Sequence, residues 1–227
     1  MKLREKRTFT EGCASIIFFR VDVDDLDNVI FEIIKDISNI SWIDKLATEE
    51  LKEGFYACME PTIKKITEEL SKEIDDENIS EIGEYVVSNV ARLIIREYCD
   101  YYVLPLAELI KEQLSNNPGF DYHCENKENI PIFGEAKYVS RTNGYGRALS
   151  QVVNFIEDKK DKKEIGLLNN FMSKEAIKNI VLGNKGYSIS FSSKSIDTDT
   201  LINNIRQNSD YKKLTIYKEI IVVAVDI

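Results

Sequence analysis

Gly119-Phe-Asp-Tyr-His-Cys124 and Ile130-Pro-Ile-Phe-Gly-Glu-Ala-Lys-Tyr-Val139 flank the polar turn Glu125-Asn-Lys-Glu-Asn129. Phe120 to Cys124 and Ile130 to Val139 read as two strands, because apolar and aromatic residues fill runs of strand length bounded by turn formers. If the turn is centred near Glu128, antiparallel pairing sets Asp121 opposite Glu135. In the second strand Glu135 and Lys137 are two apart and share a side, while Ala136 faces the other way. Two charges on one side of an otherwise apolar run are costly to bury without a purpose.

Upstream, Ser115-Asn-Asn-Pro-Gly119 breaks a helical segment that ends near Leu114. Asn78-Ile-Ser-Glu81 has the shape of a capping box, opening a helix that runs to about Tyr98 with apolar residues around most of its circumference. Earlier still, Ser15 to Val23 predicts a strand, Leu26 to Ile37 a helix, and Thr48 to Ile74 a helical stretch with Pro61 as a kink or break. Downstream, Ser140 to Gly146 forms a loop into an amphipathic helix from Arg147 to about Glu157, and Lys159 to Glu164 is expected to be a solvated charge run. A helix over Lys174 to Val181, a strand over Tyr187 to Ser192, a short helix near Leu201 to Ile205 and the β-prone run Glu219 to Val225 complete the chain. The class is α/β: a single domain over residues 1–227 with a mixed central sheet flanked by helices. Residues 1–77 form an N-terminal strand and helical portion, and 78–227 the core.

With 227 residues, 43% hydrophobic and 30% charged, the chain is long enough for one real core and far from a disordered or membrane composition. Cys13, Cys58, Cys99 and Cys124 contain no C-x-x-C pair, and a lone histidine, His123, argues against a zinc site. The N-terminus does not read as a signal peptide, so a cytoplasmic protein that does not engage a membrane is expected. Net charge is −9, yet residues 127–185 hold 11 Lys and Arg against 7 Asp and Glu. Positive potential therefore gathers around the hairpin while the rest of the chain is acidic.

Converging carboxylates suit a magnesium ion, with manganese as the alternative, and such an ion polarises a phosphate and activates water. Asp121 and Glu135 supply the acids and Lys137 an ammonium beside them. Glu-x-Lys by itself is cheap: it also occurs at Glu50, Glu125 and Glu157. Only the Glu135 copy falls within a predicted strand and follows an acid on a partner strand. His123 is expected to be structural, and Asn143-Gly144 a turn.

Gly119-Phe-Asp121, then Phe-Gly-Glu135-Ala-Lys137, then a helix carrying Gln151 resembles the PD-(D/E)xK nuclease superfamily. More narrowly, Gly83-Glu84 on a helix, Leu104-Pro-Leu106 and the final apolar strand are similar to the HamA nucleases of the Hachiman anti-phage defence system. The likeness spans approximately Ile82 to Glu157. Phe120 stands where the superfamily signature has proline. The resemblance implies a DNA-cleaving effector held in check by a helicase partner, HamB, until that partner meets phage or damaged DNA. It implies metal ligands at Glu84, Asp121 and Glu135, with Lys137 and Gln151 also catalytic. Arg141 and Arg147 are expected to contact DNA phosphates, and acidic residues such as Asp24, Asp25, Glu68 and Asp75 to face the partner. Two other readings stay open: a catalytically idle nuclease-fold module that regulates a helicase, and a repair or restriction nuclease of the same fold.

Overall fold

A computed structural model describes residues 1–71, 79–111, 119–194 and 196–227. The chain begins with β1 (Lys2–Glu11) and β2 (Ala14–Asp22), followed by α1 (Leu26–Ile37), α2 (Glu49–Leu70) and α3 (Ile79–Cys99). Short β3 (Tyr102–Val103) and α4 (Ala107–Ile110) lead to the hairpin of β4 (Tyr122–Glu125) and β5 (Pro131–Lys137). Next come α5 (Tyr145–Glu157), α6 (Lys160–Lys163), α7 (Ile165–Leu168) and α8 (Lys174–Leu182). The chain closes with β6 (Gly186–Ser193), α9 (Thr198–Gln207), α10 (Ser209–Leu214) and β7 (Glu219–Asp226). Among the described residues no helix is long and apolar enough to cross a membrane.

All the strands join one mixed sheet in the order β1-β2-β7-β6-β5-β4-β3. Its centre, β2 to β5, is parallel, and the outer pairs β1/β2, β5/β4 and β4/β3 are antiparallel. Helices cover both faces. Ile221, Val223 and Val225 of β7 pack with residues of α1, α2 and α3, while Ile220, Val222 and Ala224 pack with α5, α8, α9 and α10. A strand covered on both sides needs no polar alternation, which is why Glu219 to Val225 reads as a continuous apolar run.

In β6 the same alternation puts Tyr187, Ile189 and Phe191 on one side and the buried hydroxyls of Ser188, Ser190 and Ser192 on the other. Tyr122 partners the first two, its hydroxyl 2.6 Å from both Ser188 Oγ and Ser190 Oγ, while Ser192 Oγ accepts from Val139 N and donates to Val139 O. The Tyr122 ring reaches its two serines across Gly134, where an added Cβ would lie 2.2 Å from that ring.

Several expectations are modified. β1 was not anticipated, because Lys2-Leu-Arg-Glu-Lys-Arg-Thr-Phe-Thr-Glu11 carries only two apolar residues and no stripe. Pairing with β2 builds it as an edge strand instead, and its charges suit an edge that must not recruit further strands. Pro61 neither ends nor interrupts α2. Residues 159–164 are not simply solvated: Asp161 is buried and ion-paired to the buried Lys185, and Glu164 bonds Lys111 and His123. A charge run hides such pairs because their partners are distant in sequence. The expected capping contacts of Asn78 and Glu81, the break at 115–118 and Asp75 lie outside the described residues.

Gly134→Ala should lower stability by about 1–3 kcal/mol through overpacking against Tyr122. Urea denaturation checks this, and an unchanged midpoint would contradict the close approach.

Candidate active site

The β4/β5 register pairs Tyr122 with Gly134 and His123 with Phe133, so Asp121, one residue before β4, lies level with Glu135. Asp121 N donates to Gly134 O at 2.9 Å. Since β4 begins only at Tyr122, the Ala136 N–H beyond it lacks a strand partner, and Asp121 Oδ2 accepts from it at 2.7 Å. The Asp121 carboxylate is thereby held against the Glu135–Lys137 segment.

Glu135 is 0% exposed, and neither carboxylate oxygen makes a hydrogen bond. Lys137 Nζ lies 3.0 Å from its Oε1, close enough for an ion pair but without hydrogen-bond alignment. The same ammonium donates to Glu84 Oε2 at 3.3 Å. Glu84 is brought there by α3, whose neighbouring Gly83 lies against the Tyr138 ring. A Cβ at Gly83 would be 2.3 Å from that ring, so this glycine permits the close approach of helix and strand.

Burial pushes the Asp121 carboxyl up to about 7, with Glu108 adding repulsion and Lys137 opposing it. Burial also raises Glu135 well above the ordinary carboxylate range, assisted by repulsion from Asp121. Burial works against the Lys137 ammonium, but the Glu135, Asp121 and Glu84 carboxylates outweigh it and its pKa rises. The arrangement is a cluster of acids whose negative charge one lysine cannot balance.

Among the described residues no three Asp, Glu, His or Cys side chains are drawn together tightly enough to hold a metal ion as they stand. The donor set nevertheless fits a hard divalent cation: oxygen ligands, excess negative charge and a buried carboxylate without hydrogen bonds. Lys137 Nζ sits between Glu84 and Glu135, where a cation shared by those acids would need it to move aside.

The remaining expected residues are not gathered in the same way. Gln151 is half-buried on α5, and among the described residues its amide makes no hydrogen bond to the acids or to Lys137. Arg141, after β5, and Arg147, in the first turn of α5, are exposed. His123 is structural: its Nε2 lies 2.7 Å from Glu164 Oε2, and burial lowers its pKa. Asn143 and Gly144 shape the entry to α5, with Asn143 Oδ1 accepting from Lys194 N and Gly144 N donating to Ser192 O. Sequence reasoning missed Glu108, whose carboxylate is the strongest charge acting on Asp121. Its only sequence signal was an acid two residues after Leu104-Pro-Leu106.

A carboxyl whose folded pKa lies above its unfolded value of roughly 3.9 favours folding when protonated. For Asp121 that contribution is complete below about pH 4 and is lost as pH rises through about 7. In chelator, this carboxyl should make the melting temperature fall between about pH 4 and about pH 7.5, and Asp121→Asn should remove that component of the profile. His123, with its lowered pKa, acts in the opposite sense, its contribution being lost as pH falls below about 6.5. Equal pH profiles for the two proteins would contradict the assigned burial of Asp121.

No family model matches the chain, and no curated protein matches it in sequence, so the site's geometry carries the functional argument.

Proposed function

We propose that this chain is a metal-dependent deoxyribonuclease of the PD-(D/E)xK type that hydrolyses phosphodiester bonds. The observation that carries the reading is the Glu135 carboxylate, fully buried with neither oxygen hydrogen-bonded, in one cluster with Lys137, Glu84 and Asp121. Lys137 answers one Glu135 oxygen at 3.0 Å, but for structure alone the buried Oε2 would lose its hydration without replacement.

Asp121 and Glu135, with Glu84, would hold a magnesium or manganese ion, which when bound polarises a phosphate oxygen and lowers the pKa of a water. Lys137 stays protonated beside the acids, where its ammonium offsets phosphate charge and orients the attacking water. Asp121 is steadied by the Ala136 amide. The exposed Arg141 and Arg147 would meet backbone phosphates on the approach to the cluster.

The charge distribution supports dependence on a partner. A chain of net charge −9, with 11 Lys and Arg against 7 Asp and Glu over residues 127–185, is repelled from duplex DNA in most orientations. A helicase of the HamB kind would cover acidic surface, including the exposed Asp24, Asp25 and Glu68, and deliver a strand to the cluster.

Glu135→Ala and Lys137→Ala should each reduce magnesium-dependent plasmid cleavage by at least about 100-fold, while circular dichroism and partner binding are unchanged. Wild-type cleavage by both variants would refute the reading. A chain that binds a helicase but cuts nothing in any metal would point to the idle regulatory module. Isolated protein should bind duplex DNA poorly at about 150 mM salt, where exposed charges are already strongly screened. Nanomolar binding in a gel-shift titration would remove the need for a partner.

A further inference from the structure

We propose that Glu164 is a positioning residue for Asp121: acting through Lys111 and His123, it holds the bend in the chain that aims the Asp121 carboxylate at β5. Its effect on cleavage rests on the nuclease reading, whereas its hold on the bend does not.

A regular strand would put Phe120 and Tyr122, two residues apart, on one face. They pack instead into opposite cores, Tyr122 into the one that includes α3 and Phe120 into the one that includes α5. Phe120 lies on the side of His123, their ring centroids 6.4 Å apart and both rings against Phe133. Alternation therefore breaks between Phe120 and Tyr122, and the chain bends at Asp121. With Asp121 outside β4, its carboxylate is the group that meets Ala136 N.

A bend at the end of a strand ladder needs partners other than the ladder for its backbone groups. Part of the hold comes from the main chain: Asp121 N donates to Gly134 O and Ala107 N to Asp121 O. The other end of the peptide group before Asp121, Phe120 O, accepts from a side chain, Lys111 Nζ, at 2.7 Å. That ammonium is fixed by Glu164 Oε1 at 2.7 Å, and the second Glu164 oxygen lies 2.7 Å from His123 Nε2. One carboxylate thus ties the chain down on both sides of Asp121, at residues 120 and 123. Gly119 lets the backbone pass close over this ion pair, since an added Cβ would overlap Glu164 Oε1 and lie 2.6 Å from Lys111 Nζ. His123 is fully buried and the Glu164 side chain 11% exposed, so water competes weakly for these bonds. An acid displaced by about 1 Å can cost about 100-fold in rate, which gives such a brace a consequence for chemistry.

The test is amide hydrogen exchange of the full chain by NMR, which needs no cleavage. The Ala136 amide reports on the Asp121 carboxylate, and the amides of β7, paired on both sides, report on the whole fold. Glu164→Ala and Lys111→Met should each speed Ala136 exchange by at least about tenfold relative to the β7 amides. Glu164→Gln, which keeps an acceptor for Lys111, should speed it less. Lys111→Met leaves the Glu164–His123 contact in place and serves if Glu164→Ala does not fold. In magnesium, Glu164→Ala and Lys111→Met should also lower kcat for plasmid cleavage by at least about tenfold while KM stays within about twofold. Ala136 exchange that rises only in step with the β7 amides would show a general structural role and overturn the proposal, as would wild-type kcat in both variants. Selective exchange at Ala136 in a protein whose wild type cuts no DNA would sink the nuclease reading and leave the hold on Asp121 standing.

Discussion

A sheet with helices on both faces has no wet side, so a charge on its inner strands must find its partners within the protein or hold a ligand. The other buried charges of this sheet obey the first alternative. Arg20 bonds Asp226, Ile196 O and Thr198. Glu125 accepts from the backbone and hydroxyl of Ser173, and Glu219 from Tyr101 and Asn126. Glu135 is less completely satisfied: it is fully buried, Lys137 Nζ lies 3.0 Å from Oε1, and Oε2 has no partner. The same chain thus provides the control, since it satisfies buried acids elsewhere by ordinary means.

The geometry around Glu135 follows from where strands stop. β5 is longer than β4, so one amide at the end of β5 is left over, and Asp121 caps it. The carboxylate that completes the sheet is therefore also the one placed level with Glu135. Asp121 consequently has two roles that substitution cannot separate cleanly. Glu135 and Lys137 do not brace the fold in this way and report the chemistry more directly.

Much of this was legible because hairpin register and side-chain alternation are local. A turn centred near Glu128 and strands of period two set Asp121 level with Glu135, and the β4/β5 pairing has that register. The β-prone run of β7 likewise announced a strand, and the structure buries it on both sides. What was not legible depends on contacts far apart in sequence. β1 has no apolar stripe and exists through pairing with β2. The Lys159 to Glu164 run looked solvated because Lys185, Lys111 and His123, which engage its acids, lie 24, 53 and 41 residues away. Glu108 was hidden similarly: only the docking of residues 104–107 along β4 reveals that it stands beside Asp121.

Three members of the cluster stand on regular elements, and Asp121 stands one residue before β4. Glu84 comes from a 21-residue helix whose Gly83 fits against Tyr138. Glu135 and Lys137 come from a strand paired on both sides. Preorganisation of this kind holds acids together against their mutual repulsion, and only tertiary packing can supply the opposing free energy. The raised pKa values of Asp121 and Glu135 come first from burial and second from repulsion by neighbouring acids. Under the proposed function, stability and chemistry would pull in different directions: protonating the acids favours the fold, whereas cation binding would require them ionised. A bound cation would take the place of the proton, so the state least stable when empty would be the one best prepared to bind.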